Sequence, residues 1–199
     1  MGTILKLDTK ELILSCCEKI IALNGVNNFS LKDVAKAANI SAGTLYYYYK
    51  TKGDLIIGLL ERHMNNLRSD FNEWLIKHKD GTISKRRFIE IILLKSVRMY
   101  DKSKIRLYLI NECLSTNTEL KNRYLKLYKE WEEEIVKGLE LVYKDIKNKQ
   151  EFAHFIIVII DGLTIEQGLE NLSEEEFNNI KNTIIKYGDL YGNWSFWKY

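Results

Sequence analysis

The chain has 199 residues, no proline, 46% hydrophobic residues and a formal net charge of +3. This hydrophobic content is enough for a packed core and excludes a disordered chain, and the absence of proline favours long helices. The longest apolar run, Phe155 to Ile160, is far shorter than the ~20 residues that span a membrane, and no signal peptide opens the chain. We therefore expect a cytoplasmic protein without a membrane partner.

Charge is distributed unevenly along the chain. Residues 77–106 contain ten basic and three acidic side chains, whereas residues 107–199 contain eleven basic and sixteen acidic ones. A charged stretch is most often a solvated face, so the distribution alone predicts no particular partner.

Apolar residues recur at spacings of three and four along almost the whole chain, which predicts an all-α protein of about nine helices. The first helix is predicted from Thr9 to Leu23, and the pair Asn24-Gly25 is typical of a helix end. The predicted inward stripe of this helix consists of Leu12, Ile13, Cys16, Ile20 and Leu23.

Two short helices are predicted next, joined by a tight turn. Ser30 with Asp33 resembles a capping box and predicts a second helix from Leu31 to Ala38. Asn39 suits the left-handed conformation of a turn, and a third helix is predicted from Ala42 to Tyr49.

The rest of the chain is predicted as a helical body. A long fourth helix is expected to end near His78, before a surface loop at residues 79–82. Its predicted inward stripe is Leu55, Leu59, Leu60, His63 or Met64, Leu67, Phe71 and Leu75. The remaining helices are predicted at about 84–100, 103–114, 118–147, 150–169 and 173–191. This arrangement predicts a three-helix head in residues 1–52 and a six-helix body in residues 53–199.

Residues 30–52 have the pattern of a helix-turn-helix motif, whose second helix enters the major groove of DNA. The spacing of the apolar positions predicts a miniature core, formed by Val34, Ala35, Ile40, Leu45 and Tyr49. Hydroxyls and free backbone N–H groups on the opposite face suit phosphate oxygens. The predicted DNA-binding residues are Ser30, Lys32, Ser41, Ala42, Gly43, Thr44, Tyr46, Tyr47, Tyr48 and Lys52.

These residues resemble the DNA-binding head of the TetR family of bacterial transcriptional repressors. The resemblance covers residues 9–60 and is carried by the Ser30 cap, the segment Asp33-Val34-Ala35, the run from Ile40 to Tyr49 and the pair Thr51-Lys52. The chain has Tyr47 where the family often has histidine, Tyr49 where phenylalanine is common, Ala42 where a long polar side chain is frequent, and Gly53 where a helix former is usual. Base readout is therefore expected from Lys32 and Thr44.

The resemblance implies a homodimer that binds a near-palindromic operator in double-stranded DNA and a small apolar or amphipathic effector that releases it. Two apolar helices near the C-terminus agree with a dimer, although a central helix of a monomer has the same pattern. The predicted interface residues are Phe152, Ile156, Ile159, Ile160, Leu163, Phe177, Ile180, Ile184, Tyr187 and Tyr191. The predicted effector residues are Phe71, Phe88, Ile92, Lys95, Met99, Tyr108, Asn111, Glu112, Tyr124, Tyr128, Trp131 and Phe155.

Other classes of function are less compatible with the sequence. The three histidines lack metal-ligand spacing, no glycine-rich phosphate loop is present, and Glu132-Glu133-Glu134 is a solvated charge run, so we expect neither an enzyme nor a metal or cofactor. Two alternatives stay open: a redox-sensing regulator using Cys16, Cys17 or Cys113, and a helical partner-binding protein without an effector.

Overall fold

A computed structural model of the protein describes residues 2–78, 83–97, 100–115, 118–143, 146–169 and 173–191, together with the side chains in these ranges except those of 2–8, 96–97, 100–102, 115 and 190–191. Within these ranges the chain forms nine α-helices and no strand, which confirms the prediction of an all-α fold. The helices are α1 (Gly2–Asn24), α2 (Leu31–Ala37), α3 (Ala42–Tyr48), α4 (Lys52–Lys77), α5 (Lys85–Val97), α6 (Tyr100–Ser115), α7 (Thr118–Val142), α8 (Lys149–Leu169) and α9 (Glu174–Tyr191).

Some helix boundaries differ from the prediction. Helix α1 begins at Gly2 instead of Thr9, and α6 already contains Tyr100, where a break was predicted. Helix α7 ends at Val142 instead of near residue 147, and Tyr143 and Ile146 beyond its end are buried. The predicted loop at 79–82 lies outside the described residues.

The chain divides into two compact units. The first comprises Met1–Met64 and Lys104–Lys126, and the second comprises Asn65–Ser103 and Leu127–Tyr199. This division differs from the predicted boundary after residue 52, since the first unit also contains the first half of α4 and parts of α6 and α7. The predicted assignment of a DNA-binding domain and an effector domain concerns function and stays a prediction.

The orientation of α1 corrects the predicted stripe. Leu12 and Leu23 are 45% and 83% exposed, and the buried residues are Ile13, Leu14, Cys17 and Ile21. The rotation of the helix is explained by Arg62 of α4, whose guanidinium donates to Glu11 at 3.3 Å, Ser15 at 3.2 Å and Glu18 at 2.7 Å. These three acceptors are spaced by four and three residues, so they form the α1 stripe that faces α4.

The fourth helix follows its predicted stripe. The leucines of that stripe and Phe71 are buried, while His63 and Met64 are partly exposed. Because α4 contributes to both units, its apolar face belongs to two separate cores.

Helix α8 is the central helix of the second unit. By length and composition it could cross a membrane, with a mean hydropathy of 1.5 in its most apolar window, but core helices meet the same criteria. One of its faces is buried, and the helix packs against α5 and α9. The residues of that face are Phe152, Ala153, Ile156, Ile157, Ile160, Leu163 and Thr164.

Candidate nucleic-acid interface

The first helix of the helix-turn-helix motif begins at a capping box, as the sequence predicts. The Ser30 backbone N–H and hydroxyl donate to Asp33 Oδ2 at 2.8 and 2.7 Å, and the Asp33 backbone N–H donates to Ser30 Oγ at 3.4 Å. The hydrogen bonds from Ser30 lower the pKa of the Asp33 carboxyl. The Ser30 hydroxyl is therefore already used to fix the start of α2.

The turn between α2 and α3 has the predicted left-handed residue. Asn39 has φ +52°, and the Ile40 backbone N–H donates to the Ala35 carbonyl at 3.0 Å. The turn brings α2 and α3 into contact around a small core. The buried members of this core are Val34, Ala35, Ala38, Leu45 and Tyr49, and Ile40 is partly exposed.

The recognition helix α3 begins at the predicted cap Ser41. Its Oγ accepts the Thr44 backbone N–H at 3.0 Å and lies 2.8 Å from Thr44 Oγ1. Ala42, Gly43 and Thr44 are exposed around this end of the helix. An uncovered helix N-terminus with hydroxyl groups can donate to phosphate oxygens and contact base edges.

The four consecutive tyrosines have different environments. Tyr46 and Tyr47 are 44% and 67% exposed. Tyr48 is partly exposed, and its ring packs edge-on against that of Tyr47 with centroids 5.2 Å apart. Tyr49 is buried, as predicted, and its ring covers Gly58 of α4, where an added Cβ would lie 2.7 Å from Tyr49 Cε1.

Lys52, predicted to contact a phosphate, points its ammonium into the protein. Nζ donates to the backbone carbonyls of Asn27 and Phe29, each at 3.0 Å, and lies 4.2 Å from the centroid of the Phe29 ring. This placement does not support the predicted phosphate contact, because two of the three ammonium donors are bound to carbonyls.

The structure exposes most of the predicted DNA-binding residues on or beside α2 and α3. Only Tyr48 and Lys52 among them are partly buried. Lys36 and Lys50, which the sequence reasoning did not select, are also exposed within the motif. The sequence could have indicated them as candidate phosphate contacts, because they are charged and lie close to the predicted DNA-binding residues. Lysines near a recognition helix commonly contact phosphates.

Several predicted effector residues pack together in the core of the second unit. The Phe71 ring lies 6.1 Å from that of Phe88 and 5.5 Å from that of Trp131, and these side chains and Ile92 are buried. Gly138 of α7 is packed so closely that an added Cβ would overlap the Phe88 ring. These four residues are packed in the core, and their contact with an effector stays a prediction.

The other predicted effector residues are dispersed over both units. Tyr108, Asn111, Glu112 and Tyr124 belong to the first unit, whereas Lys95, Tyr128 and Phe155 belong to the second. Burial, together with the carboxylate and hydrogen bond of Glu112, raises the pKa of Tyr108 to about 12. Met99 lies outside the described residues.

A groove between α4 and α5 has a volume of about 460 Å³. It is lined by Asp70, Glu73, Trp74, Lys77, Arg87, Ile91, Leu94 and Lys95. Lys95 donates to Asp70 at 3.2 Å across the groove. Among the predicted effector residues, only Lys95 belongs to this lining.

The predicted dimer-interface residues differ in exposure, and their contact with a second copy stays a prediction. Six of them are buried within the second unit of the single chain. These residues are Phe152, Ile156, Ile160, Leu163, Phe177 and Ile184. Ile159 and Ile180 are partly exposed, Tyr187 is 52% exposed, and the Tyr191 side chain is outside the described part.

The environments of two of the three cysteines, Cys17 and Cys113, disfavour a role of these thiols in redox sensing. Cys17 is buried, and its burial raises the pKa of the thiol to about 12. Burial also raises the pKa of the partly exposed Cys113. Because the thiolate is the reactive form, both groups are poorly suited to oxidation at neutral pH. Within the described residues, no group of three or more His, Cys, Asp and Glu side chains could hold a metal ion.

A capped α2, a left-handed turn and an uncovered α3 define a helix-turn-helix protein. Residues 13–59 match the family model described as bacterial regulatory proteins, tetR family. The chain is 38% identical over 72 residues to an uncharacterized HTH-type transcriptional regulator of Haemophilus influenzae, covering 34% of this chain and 38% of that protein. It spans less than half the length of the first curated relatives that it matches.

Solved structures match the fold over most of the chain. A TetR transcription regulator from Haloarcula marismortui has a TM-score of 0.70 and 16% identity, covering 92% of this chain and 97% of that one. The transcriptional regulator FadR from Bacillus subtilis, solved in complex with stearoyl-CoA, has a TM-score of 0.62 and 16% identity, with coverage of 89% and 96%.

The match over residues 13–59 agrees with the resemblance to the tetR family that the residues of the motif predicted. The relatives are transcriptional regulators and not enzymes, which confirms that part of the prediction.

Proposed function

We propose that the protein regulates transcription, most simply as a repressor, by binding double-stranded DNA through the exposed side of α3 and the adjoining Lys32. The observation that carries this proposal is the uncovered N-terminal turn of α3, where Ser41 and Thr44 present hydroxyls beside the exposed rings of Tyr46 and Tyr47. These groups position a helix on phosphates, and Thr44 is close enough to the helix start to contact base edges.

Binding to DNA from the upstream region of the protein's own gene tests this proposal by fluorescence anisotropy. Tyr47→Ala removes an exposed hydroxyl and ring, and we expect it to weaken binding roughly tenfold, because a hydrogen bond to a charged phosphate is lost. Leu125→Ala, at a 52% exposed leucine of α7 outside the predicted DNA, effector and dimer sites, is the control and should leave affinity unchanged. Equal losses in both variants, or no preference of the wild type over unrelated DNA, would contradict the proposal.

We propose further that the regulator is a homodimer whose second copy covers the apolar side of α8 that a single chain leaves exposed. This stripe, with the spacing of one helix face, consists of Phe155, Val158, Ile159, Gly162, Ile165 and Leu169. An added Cβ at Gly162 would meet nothing within 4 Å, so a neighbouring helix has room to approach closely. Two copies would place their α3 helices in successive major grooves, about 34–36 Å apart.

An amphipathic effector is proposed for the groove between α4 and α5. Trp74, Ile91 and Leu94 supply apolar contact, and charged side chains at the rim can pair with a polar end. The complex of Bacillus subtilis FadR with stearoyl-CoA shows that a relative of this fold takes such a ligand. The ligand would release DNA only to the extent that it binds the DNA-free conformation of the protein more tightly than the DNA-bound conformation. Decanoate added to the anisotropy assay tests this directly, with Ile91→Glu as the groove variant.

The expected location is the cytoplasm, where the DNA is. Helix α8 buries one face in the second unit, and its other face is assigned here to a second protein chain, so no membrane role is proposed.

A further inference from the structure

We propose that Lys52 is a positioning residue that ties the two ends of the helix-turn-helix motif together, and that it is not a contact to DNA phosphate. The DNA-binding test of this proposal rests on the proposed function. The contacts of Lys52 that carry the proposal lie within the first compact unit.

The hydrogen bonds of Lys52 connect two parts of the chain that are distant in sequence. The motif begins after Phe29 and ends before Lys52, the first residue of α4. The Lys52 ammonium donates to the carbonyls of Phe29 and Asn27, which precede it by 23 and 25 residues. One side chain therefore joins the residue before α2 to the helix that follows α3.

The two carbonyls that accept from Lys52 belong to the turn before α2. They lie in the turn between Gly25, which has φ +81°, and the extended Ser30 cap, outside both α1 and α2. Such carbonyls are free of helical hydrogen bonds, and an ammonium supplies two charge-assisted bonds at once. The angle at which the turn enters α2 is thereby fixed relative to the start of α4.

Aromatic rings enclose the same ammonium. The Phe29 ring, which is buried, lies 4.2 Å from Nζ, and the Tyr108 ring lies 5.7 Å away. A cation beside two ring faces with two donors engaged has little capacity left for a phosphate oxygen. Partial burial lowers the pKa of Lys52, which agrees with an ammonium that is partly shielded from water.

Hydrogen exchange without DNA tests the tie directly. In Lys52→Met, we expect the backbone amides of residues 28–30 to exchange roughly tenfold faster, because two bonds from a charged group hold this turn. Lys50→Met removes an exposed lysine two residues away and should leave these rates unchanged. Unchanged rates in a folded Lys52→Met would overturn the proposal. If Lys52→Met does not fold, Lys52→Gln replaces it, because glutamine retains a neutral donor. The amides of residues 28–30 in Lys52→Gln must then exchange faster than in the wild type and more slowly than unprotected amides.

The salt dependence of DNA binding separates a positioning role from a phosphate contact. Lys52→Met should weaken binding while the slope of log K against log salt concentration stays that of the wild type. Loss of a phosphate contact would reduce that slope by about one. A reduced slope with unchanged exchange would assign Lys52 to DNA. If the wild type binds no DNA, the proposed function fails, and the exchange rates alone still decide the role of Lys52.

Discussion

The side chain of Tyr49 is only partly matched to its site. Its ring fills the space over Gly58, but its hydroxyl is buried and has no hydrogen-bond partner within the described part of the chain. An unpartnered hydroxyl loses its hydration without compensation, so the ring contributes to stability and the oxygen opposes it. This explains why phenylalanine, which is common at this position in the tetR family, suits the same site.

Tyr49→Phe should therefore raise the free energy of unfolding by about 1 kcal/mol. The gain should increase above pH 10, since burial raises the pKa of Tyr49 above its usual 10.0. In that range the unfolded phenol ionises while the folded one stays neutral, so the wild type loses stability as pH rises and the variant loses less. Urea unfolding at pH 7 and pH 10.5 measures both effects.

Tyr48→Phe is the matched control for that measurement. Tyr48 is partly exposed and its ring contacts Tyr47, so removal of its hydroxyl should not stabilise the protein. A decrease in the stability of Tyr49→Phe would show that the Tyr49 hydroxyl has a partner.

Residue-scale prediction from the sequence succeeded where the motif constrained the fold and failed where only periodicity was available. Tyr49 was placed in the core because a small motif core needs a residue at that spacing. On α1, Leu12 and Ile13 are both apolar, and a period of 3.6 permits either rotation. Arg62 selects between them through Glu18 and its neighbours, more than 40 residues away, and no local pattern contains that information.

At the scale of elements, the contact of α7 with α4 and α5 depends on one glycine. Gly138 allows the Phe88 and Phe71 rings to pack directly on the α7 backbone. A glycine inside a helix normally costs about 1 kcal/mol relative to alanine, so its presence here is explained by the approach of these rings.

Gly138→Ala should lower the free energy of unfolding by about 1–3 kcal/mol, because overpacking outweighs the gain in helix propensity. The Phe88 ring is buried and cannot move aside. Thermal and urea unfolding measure the loss. The double variant with Phe88→Leu should be less destabilised than the sum of the two single variants; strict additivity would show that the ring and the added methyl group do not meet.

The elements themselves were largely predictable, and their ends were less so. Caps such as Ser30, Ser41 and the pair Asn24-Gly25 lie within a few residues of what they control, so the sequence reveals them locally. The end of α7 has no proline or glycine signal, and Tyr143 and Ile146 beyond it are buried through tertiary packing.

At the scale of the whole molecule, α8 has more apolar surface than the described part of the chain buries. The sequence indicated this surplus, but not which face would be internal. The structure places Phe152 and Ile156 inside and leaves Val158, Ile165 and Leu169 exposed. The proposed partner surface is therefore the face opposite to most of the residues first predicted.

Val158→Asp should convert a dimer to monomers, since a desolvated carboxylate on the stripe opposes association. Sedimentation velocity measures the change, and Leu114→Asp, at an exposed leucine of α6, is the control. Phe152→Asp should instead unfold the second unit, because that ring is buried in a single chain. A wild type that sediments as a monomer at micromolar concentration would contradict the dimer.

The division of the chain also limits how it can be taken apart. Met64 ends the first segment of the unit that contains the motif, yet that unit is completed by Lys104–Lys126. A fragment cut after Met64 would lose Leu120, which lies beside Gly53, and Arg123, which donates to Glu61 at 2.9 and 2.8 Å. The motif is thus not a transplantable N-terminal module: a chimaera that carries it to another regulator must also carry the matching portions of α6 and α7.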